Sequence, residues 1–186
     1  MGFSPWGRSV SKPPRDNHPS RSNSYFLTIN AWAGRCVFQV HSLCELFVDT
    51  LFRYRGQGKF RLHEFVLMPN HVHLLISPSE GLTLERSVQF IKGGFSFRAA
   101  KEAGFRGEIW QRGYVDHRIR DSQDYAHHRE YIHHNPVRAR LALAPGDYQF
   151  SSANSVYTLD PVPQGLKPGS VSRPNSTTKV VPSRCL

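Results

Sequence analysis

The chain has 186 residues, of which 39% are hydrophobic and 20% charged. That is enough apolar chain for one real core, and too much for a disordered protein. Its 24 Lys and Arg against 14 Asp and Glu leave a formal charge of +10, which points to a polyanionic partner, nucleic acid being the commonest. No apolar run approaches the roughly 20 residues of a membrane span, and the Pro-, Ser- and Arg-rich start lacks the hydrophobic core of a secretory signal. No membrane partner is expected, and the cytoplasm is the expected setting. Cys36, Cys44 and Cys185 are widely spaced with no Cys-x-x-Cys, so they read as core filler or plain surface residues.

In chain order, 1–23 reads as a flexible basic tail, 24–159 as one folded domain, and 160–186 as a second flexible tail. Ser24 to Asn30 has the aromatic and β-branched residues of a strand. Ser42 and Glu45 form a capping-box pattern ahead of Leu43, Leu46, Phe47 and Leu51, which predicts a helix to about Arg53. Phe60 to Leu67 predicts a second strand, joined through Met68-Pro69-Asn70 to a third that ends near Ser77. Thr83 opens a helix carrying Leu84, Val88, Ile91, Phe95 and Ala99 on one side, with Gly93-Gly94 as a point of weakness or kinking. Tyr114 to Arg120 is a further strand, and a last helix runs from an Asp121 or Ser122 cap until Pro136 stops it. This order predicts an α+β fold, a ferredoxin-like antiparallel sheet with helices packed on one face.

The run "VLMPNHVHLLI" (Val66 to Ile76) holds two histidines inside an apolar strand. Strand side chains alternate, so Val72, Leu74 and Ile76 share one face while His71, His73 and Leu75 share the other. The two imidazoles stand roughly 6.6 Å apart at the backbone, close enough for their rings to converge on one ion. A half-buried strand that happens to carry histidines is the plainer alternative.

On the last helix, Tyr131 and Asn135 are four apart and share a face, with His127 and His134 on the same side. Tyr125 and Ile132 serve better as the core stripe, so Tyr131 is not placed like a core aromatic. A paired-histidine strand, a tyrosine among polar groups and a strong positive charge together describe metal-assisted phosphoryl transfer with tyrosine as nucleophile. Arg118, Arg120, Arg138 and Arg140 bracket that helix and are candidates for DNA-backbone contacts, the alternative being a merely solvated basic face. Trp110, Tyr114 and Phe97 are candidates for base stacking, although core packing is the better use of Phe97. His117 follows Asp116, but adjacent strand residues point to opposite faces, so the two cannot pair side by side. His128 and His133 read as helix surface or phosphate contacts. A His-x-His nucleotide hydrolase usually carries a third histidine at the next alternate position, where this chain has Leu75.

"MPNHVHLLI" resembles the histidine–hydrophobic–histidine signature of single-tyrosine HUH transposases. "WQRGYVDHRIR" (Trp110 to Arg120), "YIHHNPVRARL" (Tyr131 to Leu141) and "YQFSSA" (Tyr148 to Ala153) are similar to the REP-associated tyrosine transposases in particular. The resemblance implies a ferredoxin-like enzyme that binds Mg²⁺ or Mn²⁺ and cleaves single-stranded DNA at or near hairpins through a 5′-phosphotyrosine intermediate. By motif position it makes His71 and His73 the metal pair and Tyr131 the nucleophile, and Asn135 falls where relatives carry a third ligand. Many relatives act as dimers, which leaves a homodimer open. The competing reading is a nonenzymatic, domesticated nucleic-acid-binding protein.

Overall fold

The computed structural model describes residues 23–163 and 166–168. The N-terminal tail reading for 1–22, and the C-terminal one beyond 168, lie outside the described residues. Four strands, β1 (Tyr25–Asn30), β2 (Phe60–Met68), β3 (His71–Pro78) and β4 (Val115–Arg118), form one sheet in the order β2-β3-β1-β4. Every neighbouring pair is antiparallel. The helices are α1 (His41–Gly56), α2 (Leu84–Glu102) and α3 (Ser122–Arg138). This is the expected ferredoxin-like α+β arrangement, with elements in the expected order, but the helices do not all pack on one face, because the strands carry apolar residues on both.

Strand alternation divides the apolar residues between two cores. Leu27 and Ile29 of β1, Val72, Leu74 and Ile76 of β3, and Leu62, Phe65 and Leu67 of β2 pack with Phe47, Leu51, Ile91 and Phe95 of α1 and α2. Val66, Met68 and Leu75 face the other way and pack with Ile119, Tyr125 and Ile132. So α1 and α2 share one face, while α3 crosses the opposite one. Tyr125 and Ile132 form its buried stripe, as their spacing predicts. The histidine face of β3 is therefore roofed by α3 and buried, instead of facing water.

Three local expectations are corrected. The Ser42–Glu45 capping box does not form, because the N-cap of α1 is Val40, two residues before Ser42, with no side-chain cap. Glu45 pairs instead with His41 at 3.3 Å. The glycine pair does not kink α2, which runs unbroken from the Thr83 cap, whose hydroxyl accepts from the Arg86 N–H. Gly94 faces Tyr54 of α1 so closely that a Cβ there would overlap the phenol ring, so its missing side chain lets the two helices approach. Finally, Pro136 does not end α3. The helix continues to Arg138, with Ala139 N–H donating to the Asn135 carbonyl at 3.0 Å, and it ends where Arg140 takes φ 59°. Proline costs one ladder bond inside a helix, to the carbonyl four residues before it, and here the ring is buried.

Beyond α3 the chain returns along the outer side of β2. Leu67 N–H donates to the Phe150 carbonyl (2.9 Å), Ser152 N–H to Phe65 (2.8 Å) and Asp160 N–H to Leu62 (2.9 Å). Asp160 is fixed further by Arg55 at 2.8 Å. This return covers an edge strand that would otherwise leave its backbone unpaired.

Candidate active site

Residues directly opposite on paired strands point the same way, and the sheet register uses this to furnish the histidine face. Thr28 of β1 and Val66 of β2 flank His73, while Met68 flanks His71. The His71 and His73 rings are 4.7 Å apart between centroids, at 75° to each other. Thr28 Oγ1 lies 2.9 Å from His73 Nδ1, and Asn70 Oδ1 lies 2.7 Å from His71 Nδ1. A carbonyl oxygen only accepts, so the His71 proton is on Nδ1 and its Nε2 carries a lone pair. With the Thr28 hydroxyl accepting likewise, His73 presents the same Nε2 lone pair. His73 Nε2 is buried with no hydrogen-bond partner among the described residues. Burial pushes His71 down to about 4, and burial together with neighbouring His71 pushes His73 well below its ordinary value. Both rings are thus neutral near pH 7, the form that binds metal. A buried, unsatisfied imidazole nitrogen beside a second imidazole with a free lone pair fits a divalent ion.

Tyr131 of α3 comes down onto this pair. Its ring meets the His73 ring edge-on, with centroids 5.2 Å apart. Phe26 of β1 completes the floor, stacked on His73 at 5.3 Å and edge-on to Tyr131 at 5.9 Å. The Arg138 guanidinium lies over the Tyr131 ring, 5.6 Å from its centroid. Asn135 is half-buried one turn beyond Tyr131, within regular helix. So His71, His73, Tyr131 and Arg138 are gathered at one place, with Asn135 a turn away. Arg118, Arg120 and Arg140 are exposed, and the β1–β4 register sets Arg118 opposite Tyr25, on the α1–α2 face of the sheet and away from this group.

What holds α3 down was missed by sequence reasoning. Buried Glu64 accepts from His133 Nε2 (2.8 Å) and Ser152 Oγ (2.6 Å) and forms an ion pair with Arg129 Nε (3.0 Å). A bulge between Leu62 and Glu64 breaks the alternation of β2, so that His63 and Glu64 both reach the α3 side. Burial alone would raise the Glu64 carboxyl, but the His133 and Ser152 hydrogen bonds and the positive neighbours hold it below the usual range. His133 is therefore an internal anchor and not a helix-surface group.

His117 also departs from its expected surroundings. Its Nε2 pairs with Asp124 Oδ2 at 2.8 Å, seven residues on, and its ring stacks on His128 at 4.7 Å. His128 is half-buried against Phe26, centroids 4.6 Å apart, and is not a free surface histidine. Phe97 is 66% exposed, so it is not a core residue, whereas Trp110 packs against the main core and donates to the Lys92 carbonyl at 3.1 Å. The strand spacing could have located Phe26 and Thr28 once β1 was paired with β3. Nothing in the local pattern marks Glu64.

The family model described as "Transposase IS200 like" matches residues 36–135. The chain is also similar to the REP-associated tyrosine transposase of Escherichia coli, 24% identical over an alignment of 146 residues, with 75% of this chain and 85% of that protein covered. Among solved structures it resembles a REP-associated tyrosine transposase bound to a REP hairpin, with a TM-score of 0.64 and 22% identity over 92% of this chain and 99% of that one. At that identity the structural likeness speaks for the fold. No helix of the described residues is long and apolar enough to cross a membrane.

Proposed function

The chain belongs to the IS200-like transposase family, and we propose that it is a metal-dependent single-stranded DNA endonuclease and strand transferase acting at or near hairpins, with Tyr131 as nucleophile. The observation that carries this reading is the edge contact of the Tyr131 ring with His73, whose Nε2 is buried and unpartnered. Tyr131 Oη attacks phosphorus and forms a new P–O bond, while the bond from phosphorus to the 3′ oxygen breaks. The tyrosine proton is lost, the departing 3′ oxygen leaves as a hydroxyl, and the 5′ phosphate remains on the protein as a phosphotyrosine diester. That diester keeps the energy of the broken bond, so attack by a 3′-hydroxyl in the reverse sense rejoins DNA.

His71 and His73 would hold Mg²⁺ or Mn²⁺, with Asn135 as third protein ligand, and such an ion supplies Lewis-acid stabilisation of charge on a non-bridging phosphate oxygen. Two imidazoles favour Mn²⁺, while phosphate and water oxygens suit either ion. Arg138, whose guanidinium lies over the Tyr131 ring, would meet the negative charge of the phosphate that Tyr131 attacks. Arg118, Arg120 and Arg140 add phosphate contacts, and the +10 charge gives the complex a steep salt dependence.

The test is a hairpin oligonucleotide with a single-stranded flank, incubated with and without Mn²⁺ and run on a denaturing gel. The wild-type chain gives a metal-dependent shifted band of covalent protein–DNA adduct. Tyr131→Phe removes only the hydroxyl and gives no adduct, while binding the oligonucleotide with near-normal affinity. An adduct of normal intensity from Tyr131→Phe overturns the assignment, and a wild-type chain that binds hairpins without cleaving them is a binding protein only.

A further inference from the structure

A second group of metal-ligand side chains lies beside this site, and the transposition chemistry above does not use it. We propose that His117, Asp124 and His128 form a separate site for a borderline divalent transition ion of the Zn²⁺ class. The three come from two consecutive elements joined by a short link: His117 from β4, and Asp124 and His128 from successive turns of α3. One ligand atom from each can be chosen so that all lie within 4.8 Å of one another. His117 Nε2 is 2.8 Å from Asp124 Oδ2, and His128 Nδ1 is 3.2 Å from Asp124 Oδ1. A tetrahedral ion with bonds of about 2.05 Å needs ligand atoms roughly 3.3 Å apart, so these spacings lie close to the requirement. Small side-chain rotations suffice.

The chemistry of the set selects the ion. Two imidazoles and one carboxylate are a Zn²⁺-type donor set, which leaves a fourth position for water or a phosphate oxygen. Mg²⁺ prefers oxygen ligands and is a poor match. Burial holds His128 towards its neutral form, and hydrogen bonds from His117 and the Arg120 N–H outweigh burial in holding the Asp124 carboxyl below its usual range. Surrounding contacts orient them. Arg120 N–H donates to Asp124 Oδ2 at 3.1 Å, and the Phe26 ring walls one side of His128. Binding requires His128 Nδ1 to give up its 2.8 Å contact with the Asp124 carbonyl, but that carbonyl remains in the helical ladder of α3. An ion here would tie β4 to the first turns of the helix that carries Tyr131.

Untagged full-length chain titrated with Co²⁺ tests this, since Co²⁺ in a low-coordinate nitrogen–oxygen site absorbs in the visible. In the His71→Ala/His73→Ala variant, where the other imidazole pair is gone, one Co²⁺ per chain still binds, with a visible band that Zn²⁺ displaces. Zn²⁺ at about a hundred times its Kd raises the melting temperature of that variant by roughly 5–10 °C. Adding His117→Ala, a change on a half-exposed strand residue, abolishes the band and the thermal shift, and adding His128→Gln instead does the same. No Co²⁺ binding in the His71→Ala/His73→Ala variant, or binding that survives loss of His117 and His128, overturns the proposal and leaves a hydrogen-bonded triad only. The readout is independent of DNA cleavage, so a failure of the tyrosine assignment does not affect it.

Discussion

Thr28 and His73 stand directly opposite each other on β1 and β3, and the threonine hydroxyl takes up the His73 Nδ1 at 2.9 Å while Nε2 is left buried without a partner among the described residues. One neighbouring strand thus decides which nitrogen is free to bind an ion. Outer partners of this kind typically contribute about 10–100-fold to metal affinity. Thr28→Val keeps the shape and removes the hydroxyl, so it should raise the Mn²⁺ concentration for half-maximal adduct formation by about that factor. Thr28→Ser, which keeps the hydroxyl, should stay near wild type. Equal metal curves for all three chains would mean that Thr28 does not set the tautomer.

Glu64 links the sheet to the tyrosine helix through His133 and Arg129, and its carboxyl is lowered in the folded state. A lowered carboxyl stabilises the fold at pH values above its unfolded value, and that contribution fades as pH falls through the folded value beneath it. Glu64→Gln should therefore cost about 1–3 kcal/mol of stability near pH 7. The gap between wild type and variant should stay constant above roughly pH 5 and shrink at lower pH. Urea melts of both chains from about pH 3.5 to 7.5 measure it. A gap that widens in acid would reverse the assigned sign.

Much of the frame was legible because its signals are periodic. The two-residue period of "HVHLLI" placed His71 and His73 on one face, and the three-and-four spacing from Leu84 to Ala99 defined α2. The seat of α3 was not legible in the same way. Its buried stripe is narrow, and what fastens it is a polar anchor supplied by a bulge in a distant strand. His117 was seen as a strand histidine beside Asp116, Asp124 was not singled out, and it is the short turn from β4 into α3 that brings the two together. Pro136 was read as a stop from its local chemistry, but it is buried inside a helix that runs on to Arg138.

That correction sharpens the question of Asn135. Before a helix-ending proline, the residue would be pushed out of helical geometry and would act as a terminator. Here the helix passes through it, and its carbonyl stays in the ladder by accepting from Ala139. One turn of helix separates it from Tyr131, a rise of roughly 6 Å, so a single rigid segment can present both the attacking oxygen and an amide oxygen to the same ion. Asn135→Ala replaces a middling helix residue with the best one, which should leave the metal-free melting temperature unchanged or raise it slightly. As a ligand, its loss should shift the Mn²⁺ titration of adduct formation to higher concentration by about tenfold or more. Restoring an amide with Asn135→Gln should recover part of that shift, because the longer side chain still carries a carbonyl oxygen. A titration that does not move in Asn135→Ala removes the residue from the metal site and leaves His71 and His73 as its protein ligands.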